Sequence, residues 1–236
     1  MATPLAVILA GGLGTRLGSL AESLPKAMVP VAGRPFLEHI LRQLSHQGFE
    51  EALLLVGFRS EVIAQHFGDG RNLGIALRYS REPEPLGTGG AFNFARRLIS
   101  RRFLLLYGDL YRPVDYAQLA ARHPSNALAV YPYVEGLTTI GCPNVGLDAS
   151  GAKVAVYAKD GQGLALGHVD AGFGFFEPEV LDLLPSGVSN FETALFPRLA
   201  AEGNLEAIPV DRTFFDIGNP SDLAEARRKL GALVED

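Results

Sequence analysis

The first half of the chain alternates short apolar runs with amphipathic stretches, and this alternation restricts the fold more than any other feature. Each apolar run has the length of a buried strand, and each amphipathic stretch repeats apolar residues at the spacing of one helix face. The predicted strands are 5–10, 52–56, 75–79 and 103–107, and the predicted helices are 35–47, 61–67 and 88–99. Strand and helix in repetition predict a parallel sheet with helices on both faces.

The second half of the chain changes character, because its strand-like segments are joined by short turns such as 148–151. Short turns between strands indicate antiparallel pairing. The predicted elements are strands at 128–133, 145–147, 154–157 and 169–176, helices near 178–184 and 191–201, a last strand pair at 205–208 and 213–217, and a terminal helix from 222. The sequence contains no linker, so we predict one mixed α/β domain over residues 1–236.

Composition excludes several classes of function. The hydrophobic content of 47% and charged content of 20% are those of a globular protein. The formal net charge is −5 and no run of like charges occurs, which argues against a nucleic-acid partner. Cys142 is the single cysteine, so no intrachain disulfide can form. Without a signal-peptide pattern or a membrane-length apolar stretch, we expect a soluble, cytoplasmic protein with no membrane partner.

The strongest local signal is a glycine-rich segment directly after the first strand. Gly11, Gly12 and Gly14 let the backbone approach a polyphosphate closely, and Arg16 adds a planar fork of donors. The segment lacks the Gly-Lys-Ser/Thr ending of a P-loop, and Leu17 stands where a dinucleotide-binding loop has its third glycine. We therefore predict a phosphate-binding loop of another kind, with Lys26 as a second cation.

Two carboxylates are candidates for a metal site. Asp109 and Asp216 each follow a strand-like run, so both are expected at the carboxyl edge of the sheet, where open α/β folds bind ligands. Two carboxylates together with phosphate oxygens suit Mg²⁺. The five histidines are scattered without the spacing of a zinc site.

Six blocks, in order along the chain, resemble the sugar-1-phosphate nucleotidyltransferases. They are Gly11-Gly-Leu-Gly-Thr-Arg-Leu17, Pro25-Lys26 with Pro30-Val-Ala-Gly-Arg-Pro35, Glu84-Pro-Leu-Gly-Thr-Gly-Gly-Ala91, Gly108-Asp109, Val169-Asp-Ala-Gly172 and Phe215-Asp-Ile-Gly-Asn-Pro220. The resemblance implies a single Rossmann-like domain with a mixed, mostly parallel sheet flanked by helices. It also implies nucleotide binding by about 1–115 and sugar-phosphate binding by about 116–236, which includes a smaller antiparallel portion.

The same resemblance implies the roles of individual residues. The nucleotide would be bound by Leu9, Ala10, Gly11, Gly12, Gly14, Thr15, Arg16, Lys26, Glu84, Pro85, Gly87, Thr88 and Gly89. Arg16 would act on the β- and γ-phosphates, Lys26 on the α-phosphate, and Asp109 would serve catalysis and, with Asp216, hold Mg²⁺. The sugar 1-phosphate would be bound by Asn144, Lys159, Ala171 and Gly172.

Substrate choice is left with alternatives. The block at 86–91 resembles guanylyltransferases, so GTP with mannose or D-glycero-D-manno-heptose 1-phosphate is expected, and a uridylyltransferase for muramate-type sugars is the alternative. Ala158 stands where the family commonly has a glutamate that binds sugar hydroxyls, and its absence either shifts the sugar specificity or leaves Asp160 or Asp170 to substitute. A silent nucleotide-sugar-binding module and a dinucleotide-dependent oxidoreductase are the readings from other classes. The aromatic stretches 173–176 and 214–215 favour core, with a homodimer interface as the alternative.

Overall fold

The apolar run that opens the chain forms strand β1, Leu5–Leu9, whose first four residues are buried. The structure is a computed structural model that describes residues 3–12, 14, 17, 24–135, 142–161 and 166–234. These residues divide into two compact units. The first unit contains 1–85, 106–117 and 213–236, and the second contains 86–105 and 118–212.

Parallel strands make up the sheet of the first unit. Its strands and helices are β1, β2 (Pro30–Val31), β3 (Arg34–Pro35), α1 (Phe36–His46), β4 (Glu51–Val56), α2 (Ser60–Phe67) and β5 (Ala76–Arg81). Strand β4 pairs in parallel with β1 on one side and with β5 on the other, with Ala6 opposite Ala52 and Ala52 opposite Leu77. Strand β6, Phe103–Tyr107, follows β1 in the strand order, and its last two residues belong to this unit.

A short two-stranded ribbon completes the first unit. Strands β7 (Leu110–Tyr111) and β13 (Phe215–Asp216) pair antiparallel, with Asp216 opposite Leu110. The terminal helix, here α7, spans Pro220–Val234 and packs beside β13 and β2. The α7 residues Leu223, Ala226 and Leu230 are 0–2% exposed, so one face of this helix is core.

The second unit is mainly antiparallel. Its strands and helices are α3 (Gly87–Ala95), the start of β6, α4 (Tyr116–Arg122, entered from the first unit), β8 (Ala127–Pro132), β9 (Val145–Leu147), β10 (Val154–Tyr157), β11 (His168–Phe176), α5 (Phe191–Ala194), α6 (Phe196–Ala201) and β12 (Glu206–Pro209). Strand β11 pairs antiparallel with β8 and β9, and β9 pairs antiparallel with β10. The aromatic rings that fill its core are those of Phe92, Phe103, Phe176, Phe191 and Phe196.

These elements confirm the predicted mixed, mostly parallel sheet flanked by helices and the antiparallel portion that follows. The stretch 173–176 is buried as predicted for core, and Phe215 is 6% exposed. The homodimer stays a prediction. Within the described part of the chain, no helix has the length and apolar character needed to cross a membrane.

Two sequence predictions were wrong in detail. The segments near 205–208 and 213–217 contain the strands β12 and β13, but these do not pair with each other: β12 pairs in parallel with β8, and β13 pairs with β7. Local patterning identifies a strand, whereas its partner depends on residues far away in the sequence. The predicted helix 191–201 is divided at Leu195 into α5 and α6, because Pro197 lacks the N–H that a continuous helix requires.

Candidate functional site

The glycine-rich segment leaves β1 at the carboxyl edge of the parallel sheet. The N–H of Ala10 donates to the Leu55 carbonyl at 2.8 Å, and the N–H of Gly108 donates to the Leu9 carbonyl at 2.8 Å. Leu9 and Ala10 are therefore fixed between the neighbouring chain segments that end β4 and β6. Of the predicted phosphate-binding residues, Gly11, Gly12 and Gly14 are described, whereas Thr15 and Arg16 lie outside the described residues.

A carboxylate that the sequence analysis missed contacts this segment. A Cβ atom on Gly11 would lie 3.2 Å from Oε1 of Glu82, and one on Gly57 would lie 2.7 Å from the same oxygen. Glycine at both positions therefore makes room for the half-buried Glu82 side chain at the end of β5. A signal was present, since Glu82 directly follows a strand that ends at the binding edge.

Lys26, Asp109 and Asp216 lie together in the first unit. Lys26 belongs to a short 3-10 helix, Lys26–Met28, that places its side chain inside the protein at 9% exposure. Its ammonium forms an ion pair with the Asp109 carboxylate, whose side chain is 33% exposed. The N–H of Ile217 donates to the Asp109 carbonyl at 3.2 Å, which fixes the neighbouring Asp216 beside Asp109.

Asp216 reaches this cluster from an unexpected element. We expected it after a strand of the main sheet, but it lies within β13 of the two-stranded ribbon. Arg112, 2% exposed, follows β7, and its guanidinium lies 5.1 Å from the centre of the Phe214 ring. Pairing of β7 with β13 and this cation–π contact hold the segment that carries Asp216.

The electrostatic surroundings of Asp216 disfavour its charge. Burial is the largest cause that raises the pKa of Asp216 above its ordinary value, and the nearby Asp109 carboxylate raises it further. The Lys26 ammonium and the backbone N–H of Gly218, which donates to Oδ1 of Asp216, act in the opposite direction. A second positive charge between the two carboxylates would remove this repulsion.

The donor set fits Mg²⁺, which binds through one or two carboxylates and completes its shell with water and substrate phosphates. Asp109 and Asp216 supply hard oxygen atoms on adjoining chain segments, and this proximity favours a cation here, in agreement with the raised pKa of Asp216. Among the described residues, no group of three or more histidine, cysteine, aspartate or glutamate side chains has the arrangement of a metal site. A full protein cage is not required for this ion.

The remaining nucleotide candidates are divided between the units. Glu84 and Pro85 are exposed and end the continuous first stretch of the first unit. In the second unit, Gly87 begins α3 with a φ of 72°, and the N–H of Gly89 donates to the Ser189 carbonyl at 2.8 Å. The Thr88 hydroxyl accepts from the N–H of Phe191 at 2.8 Å.

The predicted sugar-phosphate residues lie around β9, β10 and β11. Oδ1 of Asn144 accepts from the N–H of Asp170 at 2.8 Å, and the N–H of Gly172 donates to Oδ1 of Asp170 at 2.8 Å. Ala171 is fully buried. Lys159 follows β10, and its side chain is 44% exposed.

The carboxylate nearest to Lys159 is one that the sequence analysis did not single out. Oε2 of Glu192 lies 3.6 Å from Nζ of Lys159, and the Glu192 side chain is 9% exposed. Glu192 shares the spacing of a buried helical stripe with Leu195, Phe196 and Leu199, which are 0–1% exposed. A carboxylate in such a stripe is unusual enough to have served as a signal.

Comparison with known proteins gives consistent similarities. The family described as nucleotidyl transferase matches residues 5–140. The mannose-1-phosphate guanylyltransferase of Mycobacterium tuberculosis is 35% identical over 233 residues, covering 95% of this chain and 64% of that protein. The D-glycero-alpha-D-manno-heptose 1-phosphate guanylyltransferase of Aneurinibacillus thermoaerophilus is 32% identical over 239 residues, covering 95% of this chain and 97% of that protein. The chain thus spans less than two thirds of the mycobacterial relative and nearly all of the other.

Among solved structures, HddC from Yersinia pseudotuberculosis complexed with GMP-PN aligns with a TM-score of 0.80 and 27% sequence identity. The alignment covers 97% of this chain and 100% of HddC. The fold similarity therefore extends beyond the residues matched by the family to the part that contains Lys159, Glu192 and Asp216.

Proposed function

The chain belongs to the nucleotidyl transferase family, as its motifs predicted, and on that premise we propose that it is a sugar-1-phosphate guanylyltransferase. The reaction joins GTP to mannose 1-phosphate or D-glycero-D-manno-heptose 1-phosphate and releases pyrophosphate. The cluster of Lys26, Asp109 and Asp216 is the observation that carries this proposal, because a lysine ammonium paired with one carboxylate and close to a second suits a polyphosphate with its metal ion.

In this proposal, the chain acts by positioning phosphates and neutralising charge, without a covalent nucleophile. Lys26 is held by Asp109, and its ammonium has three donors, so it keeps N–H groups for the α-phosphate. The backbone of Gly11, Gly12 and Gly14 approaches the polyphosphate, and Arg16 binds the leaving pyrophosphate.

Asp109 and Asp216 are the residues that would hold Mg²⁺. Held there, Mg²⁺ would supply positive charge to neutralise the phosphates during the reaction. Lys159 binds the phosphate of the sugar substrate. In the proposed reaction an oxygen of this phosphate attacks the α-phosphorus of GTP in line, and pyrophosphate leaves. Asn144, Ala171 and Gly172 border the sugar.

The preference for guanine rests on Glu82 as well as on the relatives. A carboxylate accepts two hydrogen bonds side by side, and guanine presents two adjacent donors, its ring N–H and its exocyclic amino group. Uracil presents a single ring N–H between two carbonyl oxygens, and a carboxylate repels these oxygens. Glu82 lies against Gly11, close to the strand ends where the nucleotide is expected.

Pyrophosphate release with Mg²⁺ tests the proposal when each nucleoside triphosphate is combined with mannose, heptose, glucose and muramate-type 1-phosphates. Release with GTP and mannose or heptose 1-phosphate supports the whole proposal. Release with UTP and a muramate-type sugar would retain the reaction and overturn the substrates. No release from any pair would favour the silent binding module.

The base preference has its own test in Glu82→Gln. We expect kcat/KM with GTP to fall at least about tenfold, since one interaction with a charged group is lost and an amide donor faces a guanine donor. The discrimination against UTP should narrow by a similar factor. Glu50→Gln, which changes an exposed carboxylate in the same unit, is the matched control. Unchanged discrimination in Glu82→Gln would remove Glu82 from base recognition.

The last part of the proposal concerns the cellular compartment. The reaction consumes a nucleoside triphosphate, and the chain has a single, exposed, free cysteine, Cys142. Both features agree with a reducing, nucleotide-rich compartment, so we place the enzyme in the cytoplasm.

A further inference from the structure

Glu192 is a buried carboxylate whose partners include two side chains from distant parts of the sequence, Thr88 and Lys159. Its residue is 6% exposed, and it lies beside the core rings of Phe191 and Phe196. Oε2 accepts from the Thr88 hydroxyl at 2.8 Å and lies 3.6 Å from Nζ of Lys159. Burying a carboxylate costs free energy that only such partners offset, so its retention at this position calls for an explanation.

The Thr88 hydroxyl is held by two hydrogen bonds, one in which it accepts and one in which it donates. It accepts from the N–H of Phe191 at 2.8 Å and donates to Glu192 at 2.8 Å, so its proton points at the carboxylate. Glu192 is thereby anchored to the first turn of α3 by a bond from a neutral donor. The Lys159 ammonium is a positive charge within ion-pair distance of the same oxygen.

We infer that Glu192 is a positioning residue that orients the Lys159 ammonium toward the phosphate of the sugar 1-phosphate, an inference that rests on the proposed function. A lysine has a flexible four-carbon stem, and holding it in one direction costs side-chain entropy. In the free protein, attraction to Glu192 offsets this loss of entropy. The carboxylate is buried, so it attracts the ammonium from one direction, while the Lys159 side chain as a whole remains 44% exposed. The ammonium can contact Glu192 on one side and donate to a phosphate on the other.

The carboxylates considered for the departure at Ala158 are not alternatives to Glu192 in orienting Lys159. The two carboxylates expected to substitute for the family's glutamate are differently placed. Asp170 accepts from the hydroxyl of Tyr157 at 3.1 Å and from the N–H of Gly172 at 2.8 Å, and Asp160 is exposed. Both bonds of Asp170 hold β10 and β11 in place. Glu192 is the buried carboxylate that contacts Lys159.

Glu192→Gln separates positioning from a purely structural role. Glutamine keeps an oxygen that accepts from Thr88, but it removes the charge that attracts Lys159. We expect KM for the sugar 1-phosphate to rise about tenfold, the effect of losing one interaction with a charged group, with KM for GTP and kcat within about twofold. Glu202→Gln, which breaks the exposed pair of Glu202 with Arg198 at 3.1 Å in the same unit, should leave all three constants unchanged.

A double-mutant cycle with Lys159→Met shows whether Glu192 acts through Lys159. If it does, Glu192→Gln adds almost nothing to the rise in KM already caused by Lys159→Met. Additive effects of the two substitutions on KM for the sugar 1-phosphate would overturn the inference. A KM for the sugar 1-phosphate that falls in Glu192→Gln would also overturn it, because Glu192 would then compete with the phosphate for the ammonium. A change in melting temperature alone would assign Glu192 to structure.

Failure of the proposed function is distinguishable from failure of this inference. If the wild-type chain turns over no substrate pair, the dissociation constant for inorganic phosphate replaces KM in the same cycle. A dissociation constant that rises in Glu192→Gln and does not rise further in the double variant supports the positioning role without any turnover. Identical phosphate affinities in wild type and Glu192→Gln would overturn it.

Discussion

Asp216 is a carboxylate in surroundings that favour its neutral form, and this has a consequence for stability. Its pKa is raised by burial and then by Asp109. The stability it contributes is fully present below its ordinary value of 3.8 and is lost as the pH rises through the raised pKa. At neutral pH the free protein therefore carries an electrostatic cost at this position.

Asp216→Asn removes that cost and retains an oxygen for the N–H of Gly218. We expect the variant to melt higher than wild type at pH 7, and a gain on the order of 1 kcal/mol corresponds to about 2–4 °C for a chain of this size. The difference should shrink as the pH falls toward 4. Mg²⁺ should raise the melting temperature of wild type more than that of the variant, and turnover should fall by at least about a hundredfold. A variant that melts lower at pH 7 would contradict this account.

At the level of single residues, the sequence indicated which charged residues lie together, but it did not indicate which buried carboxylates contact the predicted site residues. Lys26, Asp109 and Asp216 were predicted to act together, and the structure brings them together. Glu82 and Glu192 were missed because each is identified by what lies beside it, Gly11 in one case and Lys159 in the other. Such neighbours are distant in sequence, so the local signals, a strand end for Glu82 and a buried helical stripe for Glu192, do not identify what each carboxylate contacts.

At the scale of elements, the longer strands and the helices of the first half could be predicted because each has a strong apolar pattern. The two-residue strands β2, β3 and β7 could not, because they give no period, and β7 is the partner that joins β13, which lies within the predicted strand 213–217, into a ribbon. Its partners are more than a hundred residues apart, and the pairing follows from the fold of the whole first unit. Asp216 was therefore expected beside Asp109, but on a strand of the main sheet and not on this ribbon.

The start of α3 makes an element-scale prediction. Gly87 has a φ of 72°, and a Cβ atom there would lie 2.5 Å from the Ser189 carbonyl oxygen. Gly87→Ala must therefore pay for the left-handed conformation, about 1–2 kcal/mol, and also displace backbone. We expect a larger loss of unfolding free energy than in Gly151→Ala, and a raised KM for the nucleotide.

Gly151 is the matched control for Gly87. It lies in the turn between β9 and β10 with the same φ of 72°, and a Cβ atom there would meet nothing within 4 Å. Urea denaturation of both variants separates the conformational cost from the steric one. Equal losses in the two variants would show that the segment around Ser189 yields without cost.

At the scale of the whole molecule, both compact units are assembled from separate stretches of chain. The first unit takes its last stretch, 213–236, from the far end of the sequence, and the second takes 86–105 from the first half. The predicted functional division near residue 115 follows sequence order, and it stays a prediction. Periodicity could not reveal this assembly, because it reports what an element is and not which unit it joins.

Truncation after Arg212 is therefore expected to unfold the first unit and not merely to remove one carboxylate. The lost stretch carries four large side chains, Phe215, Ile217, Leu223 and Leu230, that are 0–6% exposed. Each is worth about 1.5–3 kcal/mol of burial, so their combined loss matches the net stability of an ordinary domain. Thermal unfolding followed by circular dichroism should show no cooperative transition at the wild-type temperature. Asp216→Asn at full length separates the two effects, since it loses turnover and keeps the transition. A truncated chain that melts like wild type would mean that the stretch contributes a catalytic group and little of the core.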